Sequence, residues 1–368
     1  MRRVKRPPLP SVPPAVFYEA GETGLAGPPG SLIDALELEA PPGIRVWAVL
    51  YRSTGLDGTP VPVSGLVLAP AGESPGERSV VAWAHGTTGI ADACAPSLAG
   101  ANGGDVTALA DLVRGGLVLV ATDYEGLGTA GVHPYLVGVS EGRSLLDAIR
   151  AAGALPETSA GRRSIVLGIS QGGHAALWAG EIAEAYAPEL DVAGVVAASP
   201  PVDLRALQHT VLAEGGHDLA WLESLMVAAA WSEVYGLPLD DFLTPEGREL
   251  AAALTERCPW DLPTLTRLPF VVDPVTVPVW QRLLEVNSPG HHAARPPILV
   301  VAARDDEVIP ASTIPPGVDR LRAAGGHVEL EWVDGSHTAP MTDPAAVARI
   351  VGWMLARLAG QPESAGYP

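Results

Sequence analysis

Lysine, phenylalanine and cysteine are nearly missing from this chain. Of its 23 basic residues only Lys5 is a lysine, and there are three phenylalanines and two cysteines. The arginine bias carries no mechanism by itself. Cys94 and Cys258 lie far apart and form neither a C-x-x-C pair nor a His-rich cluster, so no metal site is expected. The choice is between a disulfide and two buried thiols. No stretch approaches the roughly 18 uninterrupted apolar residues of a membrane span, so no integral membrane segment is expected. A basic stripe is also absent. With 42 acidic residues the formal charge is −19, which favours solubility and argues against nucleic acid or anionic membrane surfaces as partners. The opening MRRVKRPPLPSVPPAV has a basic cluster, then prolines where a signal peptide would carry its apolar run. It reads either as a mature or trimmed form or as a chain that is not exported.

What is present is ample apolar material, 47% of 368 residues, arranged with a clear rhythm. Residues 1 to 43 are rich in Pro, Gly and Ala and are expected to form an arm over the surface. The segments 44–54 and 60–70 are β-rich and flank GLDGT, a hairpin pattern. Apolar strands then alternate with helical stretches: 78–86, 117–126, 164–169 and 192–201 as strands, with helices between. That alternation predicts an α/β fold, a mostly parallel central sheet covered by helices on both faces. It stops at residue 203, where about ninety residues with helical periodicity and four tryptophans intervene, and it resumes near 293. The expected division is an N-terminal arm (1–43), a core (44–202 and 293–360), an inserted helical cap (203–292) and a flexible tail (361–368).

The chemistry is concentrated at SIVLGISQGG (164–173), an apolar strand running into a Gly-flanked serine, with a helical pattern immediately after. This is the setting of a nucleophile elbow, where Gly168 and Gly172 let backbones pass close to Ser170. The chain carries its own control. GVSEG around Ser140 fits the same G-x-S-x-G pattern, but it precedes ordinary helix and reads as a serine near a helix N-terminus. A serine hydroxyl needs a base, and the base an orienting carboxylate. In α/β-hydrolase order those follow the nucleophile as acid, then histidine. The strand PILVVAARDDEVIP ends in Asp305 and Asp306, and VELEWVDG ends just before His337. Asp306 is preferred because D-E-V-I-P fits the usual turn better than a frame starting at Asp305. Of the other histidines, His85 opens HGTTG at a strand end. There its side chain would anchor the loop while the Thr87 N–H forms an oxyanion hole with the Gln171 N–H. His174 is expected to be a packed or capping residue, His133 to sit in a loop, and His209, His217, His291, His292 and His327 to be structural or solvated.

AHGTTGIADACAPS (84–97), ATDYEGLGTAG (121–131), GISQGGHAA (168–176), YAPEL (186–190), LTPEGREL (243–250) and TERC (255–258) together resemble the secretory lipase family, bacterial relatives of fungal lipase A within the α/β-hydrolases. The resemblance spans roughly residues 15–358. It implies Ser170 as nucleophile, Asp306 as acid, His337 as base and a Cys94–Cys258 disulfide. It further implies a secreted carboxylic ester hydrolase without cofactor, acting on a small-molecule ester or acylglycerol, with acyltransferase side activity in some relatives. A cytoplasmic location is the alternative. The expected state is a monomer or homodimer.

Two other readings share the fold. A prolyl-type serine peptidase would use the same triad, and a non-catalytic binding protein would keep only the scaffold. Against the first, no propeller-like region or acidic pair for a peptide amine is visible. Against the second, all three catalytic residue types occur in order. The tryptophans of 203–292 either bind an acyl chain or simply pack the cap. Few phenylalanines and an acidic surface point to short-to-medium acyl chains.

Overall fold

The computed structural model describes residues 8–102, 108–213, 218–239 and 241–361. His217 and most of the C-terminal tail lie outside the described residues. Nine strands form one sheet in the order β1-β2-β3-β5-β4-β6-β7-β8-β9. They are Leu32–Leu38 (β1), Ile44–Thr54 (β2), Pro60–Pro70 (β3), Arg78–Ala84 (β4), Val118–Glu125 (β5), Ala160–Ile169 (β6), Asp191–Ala198 (β7), Ile298–Ala303 (β8) and Val328–Val333 (β9). β1, β2 and β3 pair antiparallel and β3 meets β5 antiparallel; every pair from β5 through β9 is parallel. Helices on both faces bury two apolar layers, one around Val80, Val120 and Val166, the other around Val81, Leu119 and Leu167. Alternate residues of each strand supply opposite layers, as a pleated sheet requires. This is an α/β-hydrolase fold.

The arm expected over 1–43 contains an element that its composition hides. LIDALEL (32–38) is made largely of good helix formers, yet it pairs with β2 from Leu32↔Tyr51 to Leu38↔Val46. The open edge of β2 decides the conformation, because pairing and burial outweigh a weak local preference.

The helices used below are Ala110–Arg114 (α1), Gly138–Gly153 (α2), Gln171–Tyr186 (α3), Leu204–Ala213 (α4), Asp218–Tyr235 (α5), Pro245–Leu254 (α6) and Pro278–Asn287 (α7). They continue with Ile314–Ala323 (α8), Ala339–Thr342 (α9) and Pro344–Leu358 (α10). Helices α4 to α7 lie between β7 and β8 in the chain and bury their own apolar cluster, including Leu225, Met226, Trp231, Leu254 and Trp280. Trp231 and Trp280 stack with centroids 5.9 Å apart.

Strand order reverses at β4, which lies between β5 and β6. The chain leaves the C-terminal ends of β4 and β6 toward opposite sides, and the gap this opens is where ligands enter open α/β sheets. His85 follows β4 and Ser170 follows β6.

Candidate active site

Ser170 stands between β6 and α3 with φ 56° and ψ −122°, a conformation that L-residues rarely adopt. Close packing enforces it. A Cβ on Gly172 would lie 1.9 Å from the Ala84 carbonyl oxygen, and one on Gly168 would lie 2.1 Å from that of Gly172. Only glycine at both positions lets β4, β6 and the start of α3 approach this closely. The Ser170 N–H donates to the Ala198 carbonyl at 2.9 Å, which ties the bend to the end of β7. Ser140, by contrast, lies in the first turn of α2 with its hydroxyl on the Glu125 carboxylate.

His337 follows β9. Its Nδ1 donates to Asp306 at 2.8 Å from Oδ2 and 2.9 Å from Oδ1. Asp306 Oδ1 also accepts the N–H groups of Val308 and Ile309, at 2.9 and 2.7 Å, so the turn after β8 fixes the carboxylate. Asp305 is exposed, and the His337 ring is hydrogen-bonded to Asp306, not to it. The His337 N–H donates to Glu307, and the Ser199 hydroxyl donates to the His337 carbonyl at 2.8 Å. Ser199 directly follows the strand end that holds Ser170, so two backbone-linked contacts connect serine and histidine. Burial by itself would push the His337 imidazole down. The Asp306 hydrogen bond and charge, with Glu223 and Glu307 adding to them, hold it above the ordinary histidine value instead. Among the described residues no hydrogen bond joins the Ser170 hydroxyl to this ring.

The HGTTG loop passes beside Ser170, a Cβ on Gly86 falling 3.7 Å from that of the serine. His85 pins the loop: its Nδ1 lies 2.6 Å from the Gly86 carbonyl, its ring is 4.5 Å from that of Tyr124, and Tyr124 OH donates to its carbonyl. Among the described residues neither the Thr87 nor the Gln171 backbone N–H donates to a protein carbonyl. Gln171 sits at the first turn of α3, where N–H groups are unpaired and the helix end is positive. Its side-chain amide donates to Glu141 and to His133 Nε2, at 2.9 and 3.0 Å. Burial depresses the His133 imidazole to about 4, so the ring is neutral and can accept.

The sequence reading of His174 as a packed residue holds, but its partners were not foreseen. Its Nδ1 faces Glu141 at 2.7 Å and its Nε2 donates to the Asn287 carbonyl at 2.7 Å. Trp178 Nε1 donates to the same carbonyl at 3.0 Å, so the end of α7 is joined to the core helix α3. His133, expected in a loop, is fully buried there, while His327 is exposed.

Above Ser170 lies a narrow cleft with a cavity volume of about 30 Å³, lined by Leu204, Leu207, Val211, Val227, Leu284 and Ile309. None of the tryptophans reaches it. Trp231 and Trp280 are buried inside the α4–α7 cluster, so packing is what they do. Beside Ser170, the polar residues Tyr135, Gln171, Gln208, Glu223 and Ser224 also line the cleft. Glu223 escaped the sequence reading because a single acid in a largely apolar helix gives no sign of what faces it. Enclosure in the cleft raises its carboxyl to about 7. Cys94 and Cys258 form a disulfide, Cα–Cα 5.5 Å, joining the segment after the HGTTG loop to the turn after α6.

Comparison with known proteins agrees with this geometry. Residues 96–262 match the secretory lipase family model. The probable inactive lipase MT1628 of Mycobacterium tuberculosis is 29% identical, over 98% of this chain and 85% of its own length. The secreted triacylglycerol lipase LIP4 of Malassezia globosa is 26% identical, over 88% of this chain and 74% of its own. Among solved structures, Candida antarctica lipase A in its closed state superposes with a TM-score of 0.78 at 18% identity, covering 96% of this chain and 89% of that one. The rice cell wall degrading esterase LipA from Xanthomonas oryzae gives 0.72 at 23% identity, over 90% and 97%. Residues 96–262 are thus similar to the secretory lipase family, and the chain is built on the α/β-hydrolase fold seen in lipase A.

Proposed function

We propose that the protein is an active serine carboxylic ester hydrolase, with Ser170 as nucleophile, His337 as base and Asp306 as its orienting acid. The observation that carries the reading is the pairing of a strained, Gly-enclosed Ser170 with a His337 whose Nδ1 is held by Asp306. A chain that had lost activity would have no reason to maintain either feature, since strain at an elbow costs on the order of 1–3 kcal/mol.

His337 Nε2 takes the Ser170 proton as the oxygen attacks the ester carbonyl. The Thr87 and Gln171 N–H groups receive the oxyanion. The imidazolium then protonates the leaving alcohol, and a water activated by the same ring hydrolyses the acyl-enzyme. The contact between Ser170 and His337 tightens with substrate, as it does in many hydrolases. Residues 203–292 act as a cap, and the aliphatic residues of α4, α5 and α7 receive the acyl chain. The disulfide and the family's secreted relatives support an extracellular setting.

A panel of nitrophenyl acyl esters beside an aminoacyl anilide tests this. Ester turnover that falls about 10⁴–10⁶-fold in Ser170→Ala, and that persists in Ser140→Ala, is the expected result. Anilide turnover would favour a peptidase. Absence of both, with no labelling of Ser170 by a fluorophosphonate, would sink the reading.

A further inference from the structure

The cleft above Ser170 is walled by two helix faces of the same pattern. Helix α4 contributes Leu204, Leu207, Gln208 and Val211, at i, i+3, i+4 and i+7. Helix α5 contributes Ala220, Glu223, Ser224 and Val227 at the same spacing. Each face is apolar at its ends and polar in its middle, so a polar belt crosses an aliphatic cleft. Two residues of the lining carry a buried atom without a hydrogen-bond partner among the described residues: Gln208 Nε2 and, beside the serine, Gln171 Oε1. Those residues are only 6% and 1% exposed. The Gln171 amide cannot be turned over, because its Nε2 already donates to the Glu141 carboxylate and to His133 Nε2. Its oxygen is therefore the end left over. The neighbouring hydroxyls are taken. Tyr135 OH pairs with Thr87 Oγ1 at 2.7 Å, and Ser224 Oγ donates to the Ala220 carbonyl at 2.9 Å.

We propose that this cleft selects esters whose acyl chain carries a hydroxyl group, with Gln208 and the Gln171 side chain as the specificity determinants. This rests on the ester hydrolase reading above. The cleft holds only about 30 Å³, so little water can stay beside a bound acyl chain and the substrate itself must satisfy these atoms. A hydroxyl serves either of them, donating to the Gln171 oxygen or accepting from the Gln208 amide, and a methylene serves neither. A site with buried polar atoms discriminates against the analogue that leaves them unpaired. Glu223 shares the wall, so a carboxylate substituent would meet a like charge there; a neutral hydroxyl does not.

Ethyl hexanoate and its 2-, 3- and 6-hydroxy derivatives, followed in a pH-stat, test the proposal. Each kcat/KM is divided by the rate of hydroxide hydrolysis of the same ester, which removes intrinsic reactivity. At least one hydroxy ester should exceed ethyl hexanoate by about 10–100-fold. In Gln208→Leu that preference should shrink by about fivefold or more. Turnover of ethyl hexanoate itself should meanwhile rise by about threefold, because no amide is then stranded beside the chain. A Gln208 that served packing alone would lower both esters together when replaced.

Glyceryl monohexanoate, run beside ethyl hexanoate, locates the hydroxyl. A preference confined to the glyceryl ester would put recognition on the alcohol side and overturn the acyl assignment. Ethyl hexanoate as the best substrate of the series, or equal losses on both kinds of ester in Gln208→Leu, would overturn the proposal as well. Each of these outcomes leaves the hydrolase intact. Should Gln208→Leu fail to fold, Gln208→Met, unbranched and close to glutamine in shape, takes its place. A parent that neither turns over esters nor labels at Ser170 with a fluorophosphonate would overturn the hydrolase reading, and this one with it.

Discussion

Three residues around the cleft hold positive φ without being glycine: Leu136 at 54°, Ser170 at 56° and Ser199 at 41°. Such strain persists only where packing over-determines the backbone, and here it sets Ser170, the cleft wall and the contact to the His337 carbonyl. If Ser170 is retained for chemistry at a cost in stability, the backbone there should prefer glycine. Ser170→Gly is therefore expected to be inactive yet more stable than Ser170→Ala, by about 1 kcal/mol once the added freedom of glycine in the unfolded chain is subtracted. Chemical denaturation of the two variants measures this, and equal midpoints would show the elbow to be unstrained.

The proposed base makes its own prediction. His337 must be neutral to accept a proton and its folded value is raised, so the acid limb of kcat/KM should lie above about 6.5. Asp306→Asn removes both the charge and the acceptor, so turnover should collapse and any residual limb should move to lower pH. Asp305→Asn should change neither. The proposed serine, base and acid were legible in the sequence because strand ends and turn patterns are local. The contacts of Glu141 and Asn287 were not, because they come from what faces those residues across the fold.

Among the elements, the alternation of apolar strands with helices carried most of the sheet into view, including the interruption after β7. The edge strand β1 was invisible, its partner being the only thing that makes it a strand. The cap tryptophans show the same limit. Periodicity marks them as apolar, but only tertiary packing tells that they face one another, not the cleft. The aliphatic lining supplied by α4, α5 and α7 predicts a graded response to acyl length. Each methylene that enters contributes about 0.8 kcal/mol, so kcat/KM should climb about fourfold per methylene and then level off where the cleft ends. A break at short-to-medium chains is expected, and Val211→Trp should move it to shorter ones. A steady rise to the longest soluble ester would make this a lipase of long chains.

On the scale of the whole molecule, the two halves of the chain are tied together covalently. The Cys94–Cys258 bond spans 164 residues of sequence, a closure the chain-entropy model values at roughly 5 kcal/mol. Cys94→Ser with Cys258→Ser should therefore unfold at clearly lower denaturant than the parent while keeping its substrate profile. Finding two titratable thiols in the unreduced, denatured parent would remove the basis for that expectation.

The joint at the end of α7 has a different consequence, for how freely caps can drift. His174 and Trp178 reach across to a backbone carbonyl, a group that any residue at position 287 would supply. The Asn287 side chain crosses the same seam, its Oδ1 accepting the Gly138 N–H at 3.3 Å, so the demand for chemical identity falls on both sides. Sequence change elsewhere within the proposed cap, or its replacement by a foreign helical segment, leaves this fastening intact provided the last turn ends at the same height in an asparagine. A change of His174 to an aliphatic residue would loosen every such cap alike. The seam is a socket whose shape is written in the core, and substrate range can be rewritten on the other side of it.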